Sequence, residues 1–208
     1  DFFSGSASEA DAVMQLNAED GGHRKFIMVQ LPEETDEKSE AYKAGYRNIC
    51  EIGKERIRRA AKKIAEENLE AAFDGGFRVL KCDSSNMKDV YYSPADFELN
   101  LLDTMEDNIK EDRTAEDLLF QVMLDLGVPL SSKIEETIIA DKKVFDVADG
   151  FLIACFDEDV NEETIKAIAQ KEPYYFVMRD SSLANDSVST NFEQIFATYS
   201  PETVRKVL

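Results

Sequence analysis

The sequence predicts an α/β chain in two parts, and three observations carry that expectation. Asp1–Phe3, a small-residue turn, a helix and the apolar run Phe26–Leu31 form a strand–helix–strand unit of about 30 residues. Residues 48–82 repeat the scheme with a long amphipathic helix followed by an alternating run. From about residue 88 the pattern changes to closely spaced strands and then to strand–helix units, which marks a second α/β subdomain. The expected domains are therefore 1–87 and 88–208.

Taken in order, Asp1, Phe2 and Phe3 read as the end of a strand, and Ser4, Gly5, Ser6 and Ala7 as a tight turn. A helix follows from about Ser8, its apolar stripe running through Ala10, Val13 and Met14. A Gly-containing turn leading into a helix N-terminus presents main-chain N–H groups to a ligand and lets it come close. One glycine is also what an ordinary strand–turn–helix needs, so the spacing by itself leaves both readings open. Phe26-Ile-Met-Val-Gln-Leu31 is nearly continuous in apolar residues, as expected of a parallel strand buried on both faces, and Pro32 stops it.

Asn48–Leu69 is the clearest helix. Ile49, Ile52, Ile57, Ala60, Ala61, Ile64 and Ala65 keep helical spacing. Its other face carries Lys54, Arg56, Arg58, Arg59, Lys62 and Lys63, which either contact phosphate or are balanced by Glu51, Glu55, Glu66 and Glu67. Asp74-Gly75-Gly76 is a turn, and Phe77–Cys82 alternates into a third strand. Beyond it, a helix is expected from Pro94 through Phe97, Leu99, Leu101, Leu102, Met105 and Ile109. Another begins at Thr114 and ends at Gly127. Strands are expected at 134–140, 143–147, 151–156 and 174–178, with helices at 161–170 and 185–198 and a closing strand in 203–208.

Composition narrows the function. The 208 residues are 43% hydrophobic, enough for a sizeable core, and no apolar run is long enough to cross a membrane. Cys50, Cys82 and Cys155 lie far apart in apolar contexts, so buried thiols in a reducing cytoplasm are expected. With those three cysteines and only His23, no metal site is expected. The net charge of −19 opposes binding to phosphate backbones, so contact with DNA would have to be made by other segments. The chain begins at Asp1 in what reads as a strand, as a fragment of a longer protein would.

Beyond spacing, Asp-Phe-Phe-Ser-Gly-Ser-Ala-Ser-Glu-Ala (1–10) resembles the cofactor motif D-x-F-x-G-S-G-T-T-A of amino-methyltransferases acting on DNA. Arg24–Glu33, Glu51–Arg59, Phe77–Asn86 and Arg179–Asn191 follow in an order similar to the C-terminal part of Mod subunits of type III restriction–modification systems. The resemblance spans essentially the whole chain. It implies a partial Rossmann-like methyltransferase sheet with a smaller C-terminal α/β subdomain. It also implies S-adenosylmethionine as cofactor and adenine N6 in DNA as methyl acceptor.

Carried over position by position, Asp1, Phe3, Ser4, Gly5, Ser6 and Ala7 would hold the methionine part of the cofactor. Gln30 or, preferably, Glu33 would meet the ribose. Asp83 would contact the adenine amino group, or simply cap its turn. Ala7 departs from the family's glycine, Ser8 and Glu9 replace its threonines, and Ser8 is expected to cap the helix. The catalytic Asp-Pro-Pro-Tyr motif does not occur here, so the chain has no catalytic residue to assign and should be inactive by itself. A restriction subunit is the partner the resemblance implies, and a half-sheet with a bare edge should dimerise. The competing expectation, from composition, is a non-catalytic acidic module that binds other proteins.

Overall fold

The structure, a computed structural model, describes residues 1–68, 73–88, 108–183 and 186–208. The chain divides into two units, Asp1–Cys82 and Asp83–Leu208.

In the second unit the apolar alternation builds one mixed sheet. Its strands are β1 (Ile134–Ile139), β2 (Lys142–Val147), β3 (Leu152–Cys155), β4 (Tyr175–Met178) and β5 (Val204–Val207), in the spatial order β1-β2-β3-β4-β5. β1, β2 and β3 are antiparallel neighbours, whereas β3, β4 and β5 run parallel. Among the described residues three α-helices belong to this unit, numbered after those of the first: α4 (Ala115–Asp125), α5 (Glu162–Ala169) and α6 (Asp186–Tyr199). α5 and α6 are the two crossovers between parallel strands. Right-handed crossovers in one direction along a sheet put both helices on the same face. Ile165, Ile168, Val188, Phe192 and Phe196 accordingly pack with Val144, Ile153, Cys155, Phe176 and Met178. The alternate strand residues Phe145, Val147, Leu152, Ala154 and Val177 meet Leu118, Leu119, Val122 and Met123 of α4.

The caps expected for α4 and α5 are formed. The Thr114 hydroxyl accepts from Asp117 N while Asp117 Oδ2 accepts from Thr114 N at 2.8 Å, a reciprocal capping box. The Thr114 hydroxyl also donates to Asp117 Oδ2 at 2.8 Å, and the two bonds that the carboxylate accepts, the main-chain one most strongly, hold it below its usual range. α4 ends at left-handed Gly127, with Gly127 N on Leu124 O and Val128 N on Met123 O, the paired closure that satisfies orphan carbonyls. Asn161 caps α5 through Thr164 N.

Several expectations are corrected. The β1–β2 turn is Ala140–Asp141, not Asp141–Lys142, with both residues left-handed as a two-residue hairpin requires. Ile109 lies not on a helix but in an antiparallel bridge to Met87. The helix expected from Pro94 otherwise falls outside the described residues. Of the thiols, only Cys155 is buried, and burial pushes it up to about 11; Cys50 is half-buried and Cys82 exposed.

The first unit contains α1 (Ser8–Asp20), the single turn α2 (Glu40–Lys43) and α3 (Ile49–Glu67). Met14, Ala10 and Ala7 interlock with Ile57, Ala60 and Ile64 of α3, and Phe26, Met28, Phe73 and Phe77 close that cluster from the extended runs. None of Asp1–Phe3, Phe26–Leu31 and Phe77–Cys82 forms a regular strand. Phe26–Leu31 is not buried on both faces as expected: Phe26, Met28 and Gln30 point inward, while Ile27, Val29 and Leu31 are exposed. The physical reason is one-sided packing. The helices cover one face, and no described element of the unit covers the other.

Candidate cofactor-binding site

Two extended runs and the helix between them build the site. Asp1 N donates to Ile27 O at 2.8 Å and Val29 N donates to Asp1 O at 2.8 Å. Bonds from one residue to j − 1 and j + 1 of its neighbour are the pattern of parallel strands, here centred on Met28. Strand direction, turn, helix and return therefore follow the expected β–α–β order, although the pairing is too short to make a ladder. The second run is tied back to α1 by Asn17, whose side chain donates to Arg24 O and accepts from Arg24 N.

The turn Ser4–Ala7 sits where the first run ends. Ser4 N reaches Val29 O at 3.3 Å, Gly5 N donates to Gln30 Oε1 at 2.8 Å, and Ala7 N donates to Ser4 O at 2.8 Å. Gly5 and Ala7 are both left-handed, with φ of 53° and 61°. Glycine takes that conformation without cost, whereas an alanine there stores about 1 kcal/mol. Ala7 is buried, and the packing that holds it comes from α3. A Cβ added to Gly53 would lie 3.4 Å from the Ala7 Cβ and 3.5 Å from Gly5 O. These are ordinary van der Waals distances, so α3 packs directly against the turn at Gly53, a contact sequence reading missed. Its signal was a glycine inside an otherwise regular helix, which costs about 1 kcal/mol relative to alanine and calls for a packing reason.

Ser8 does not cap α1. The helix is entered from Ala7 without a capping side chain, and the Ser8 hydroxyl instead accepts from Arg56 Nη1 at 3.1 Å. A left-handed residue directly before the helix leaves Ser8 inside the first turn, one position too late to cap. The N-terminal end of α1 therefore keeps its positive dipole uncapped. A Cβ built on Gly5 would meet nothing within 4 Å, so the turn faces open space. These features fit the amino-acid end of an S-adenosylmethionine-like ligand: small residues, an open face and an uncapped helix end. Asp1 and Phe3 flank the turn, both exposed, and Asp1 Oδ1 accepts from Phe3 N at 3.1 Å.

The remaining predicted residues are placed differently. Glu33 is exposed, and its carbonyl accepts from Ile49 N at the start of α3, so this acid stands just past the end of the second run. Asp83 falls in the second unit, where Oδ1 accepts from Ser84 N at 2.7 Å and Oδ2 lies 3.4 Å from Arg113. The Ser84 N–H, with Arg113 behind it, lowers the Asp83 carboxyl below its usual range. These are the bonds of a turn-capping aspartate. On α3, Lys54, Arg58, Arg59, Lys62 and Lys63 pair with Glu51, Glu55, Glu66 and Glu67, the balanced arrangement rather than an open basic face. A groove of about 670 Å³ along α1 and α3 is lined by both signs of charge, Asp11 and Glu19 against Arg56 and Lys63, and by none of residues 4–7.

No family model matches the chain. Curated relatives do. A segment of 78 residues is 47% identical to the type III restriction-modification enzyme StyLTI Mod subunit of Salmonella typhimurium, covering 38% of this chain and 12% of the relative. The EcoPI Mod subunit of Escherichia phage P1 is 44% identical over 80 residues, with the same shares. The EcoP15I Mod subunit of Escherichia coli is 43% identical over 70 residues, 34% of this chain and 11% of the relative. The matched segment spans about one eighth of each relative's length. Over about a third of its length, this chain is therefore similar to a segment of the Mod subunits of type III restriction–modification enzymes.

Proposed function

We propose that the first unit is the cofactor-holding part of a DNA adenine-N6 methyltransferase that uses S-adenosylmethionine. The observation that carries this reading is the turn Ser4–Ala7, set between a parallel-paired run and the uncapped N-terminus of α1, with open space at Gly5. The similarity to Mod subunits supports it independently. When bound, the cofactor supplies an electrophilic methyl group. This chain's contribution is to hold it: Ser4, Gly5, Ser6 and Ala7 around its amino-acid end, Asp1 toward its ammonium, and Glu33 toward the ribose hydroxyls.

Methyl transfer to a base in duplex DNA further requires that the base be flipped and its N6 aligned with the methyl carbon. The residues for that step belong to an Asp-Pro-Pro-Tyr-type motif that this sequence does not contain. The segment alone is therefore expected to bind cofactor without catalysis. Contact with DNA and with a restriction subunit is assigned to the intact assembly. Self-association is proposed to go through the exposed apolar face of the first unit.

Titration calorimetry with S-adenosylhomocysteine tests the reading. Saturable heat in the wild type, lost in Gly5→Val, is the expected result, because a β-branched residue at a φ of 53° is strained and fills the open face. Absence of heat at millimolar ligand overturns it.

A further inference from the structure

The turn is held from the second run by two bonds of different kinds. Ser4 N on Val29 O is a main-chain contact that almost any sequence could make. Gly5 N on Gln30 Oε1, at 2.8 Å, depends on one side chain. Gln30 is itself fixed, because its Nε2 donates to Leu31 O at 3.2 Å and its main-chain carbonyl accepts from the Cys50 thiol at 3.5 Å. It is half-buried and ends the inward-facing series Phe26, Met28, Gln30. A left-handed glycine has wide conformational freedom and loses much entropy when ordered. A single acceptor on its N–H selects one geometry from that freedom.

We propose that Gln30 is a positioning residue that sets the conformation of the Ser4–Ala7 turn before any ligand arrives, rather than a group that contacts the ribose. This rests on the cofactor reading above for its consequence, though not for the clamp itself. A glutamine is a weaker ribose partner than a carboxylate, and here one lone pair of its oxygen is engaged by Gly5 while its amide nitrogen is turned to Leu31 O. Glu33 is then the acid left for ribose hydroxyls at this end of the run. The clamp joins the end of the second run to the turn after the first, so the two sides of the site are set by one bond. Residues of α3 pack on Ala7 of the same turn, which supports it independently of that bond.

Amide hydrogen exchange at Gly5, read by NMR on the ligand-free 208-residue chain, tests the clamp. Gln30→Leu should speed Gly5 exchange by about tenfold, the scale of one net hydrogen bond. Gln30→Glu keeps an acceptor and should restore protection. Unchanged exchange in Gln30→Leu overturns the proposal, and so does failure of Gln30→Glu to restore it. Calorimetry with S-adenosylhomocysteine then tests the consequence: affinity should fall at least about fivefold in Gln30→Leu. Faster exchange with unchanged affinity shows that the turn does not position the ligand and overturns the positioning role. If the wild type binds no S-adenosylhomocysteine, the cofactor reading fails, and the exchange measurement alone decides whether Gln30 sets the turn.

Discussion

The two units make α/β structure by different means. In the second, every strand has a hydrogen-bonded neighbour, and helices cover both faces, so Phe176, Ile153 and Val144 are fully enclosed. In the first, helices α1 and α3 form a core against one side of extended runs whose other side leaves Phe3 at 84% and Ile27 at 79% exposure. An apolar run here becomes a regular strand only where a neighbouring strand pairs with it over several residues, as β2 and β4 do even for the edge strands β1 and β5. Where none does, the chain is held by particular bonds, such as those of Asn17 and Gln30, rather than by a ladder.

Substitutions can break that contrast. Phe176 stacks on Phe196 at 5.3 Å in a closed layer, so Phe176→Ala should cost about 3–5 kcal/mol in urea unfolding followed by near-ultraviolet signals of the second unit. A loss below 1 kcal/mol would show that this layer is less tightly packed than its burial indicates. Thr114→Ala should remove about 1 kcal/mol through loss of the capping box. That cap also carries a pH signature. Because the folded Asp117 carboxyl is held below its ordinary value of 3.8, its contribution is fully present above that pH. It is lost as the pH falls through the lowered folded value. Asp117→Asn should therefore flatten the acid limb of the stability curve, and an unchanged limb would remove Asp117 from it. Ile27→Lys, on the open face of the first unit, should change stability by less than about 0.5 kcal/mol. It should also reduce self-association in light scattering, whereas a stability loss comparable to Phe176→Ala would mean that this face is a true core.

Much of the second unit was legible because its signals are local. Thr114 and Asp117 three residues on, Gly127 after the last apolar position, and Asn161 before α5 each specify a helix end through bonds made within one turn. The alternation in 134–178 specified strands to within a residue or two. It missed the Ala140–Asp141 turn because an alanine at a φ of 47° runs against intrinsic preference and is imposed by the pairing of Ile139 with Lys142. The candidate site was legible as a turn of small residues, and less so in its details. Ser8 looked like a cap, but Ala7 took the left-handed position and moved Ser8 into the helix. Gln30 looked like a ligand contact, while its oxygen holds Gly5 across 25 residues of sequence.

Local pattern was enough for the helices α1 and α3–α6, for the caps at Thr114 and Asn161 and for the resemblance around residues 1–10, because these depend on neighbours a few positions apart. Long-range packing set which face of Phe26–Leu31 is covered and where Asp83 directs its carboxylate. It alone brought Gly53 and Gln30 to opposite sides of one turn. Those outcomes depend on which distant segments supply a surface or a hydrogen-bond partner, and no local pattern encodes that.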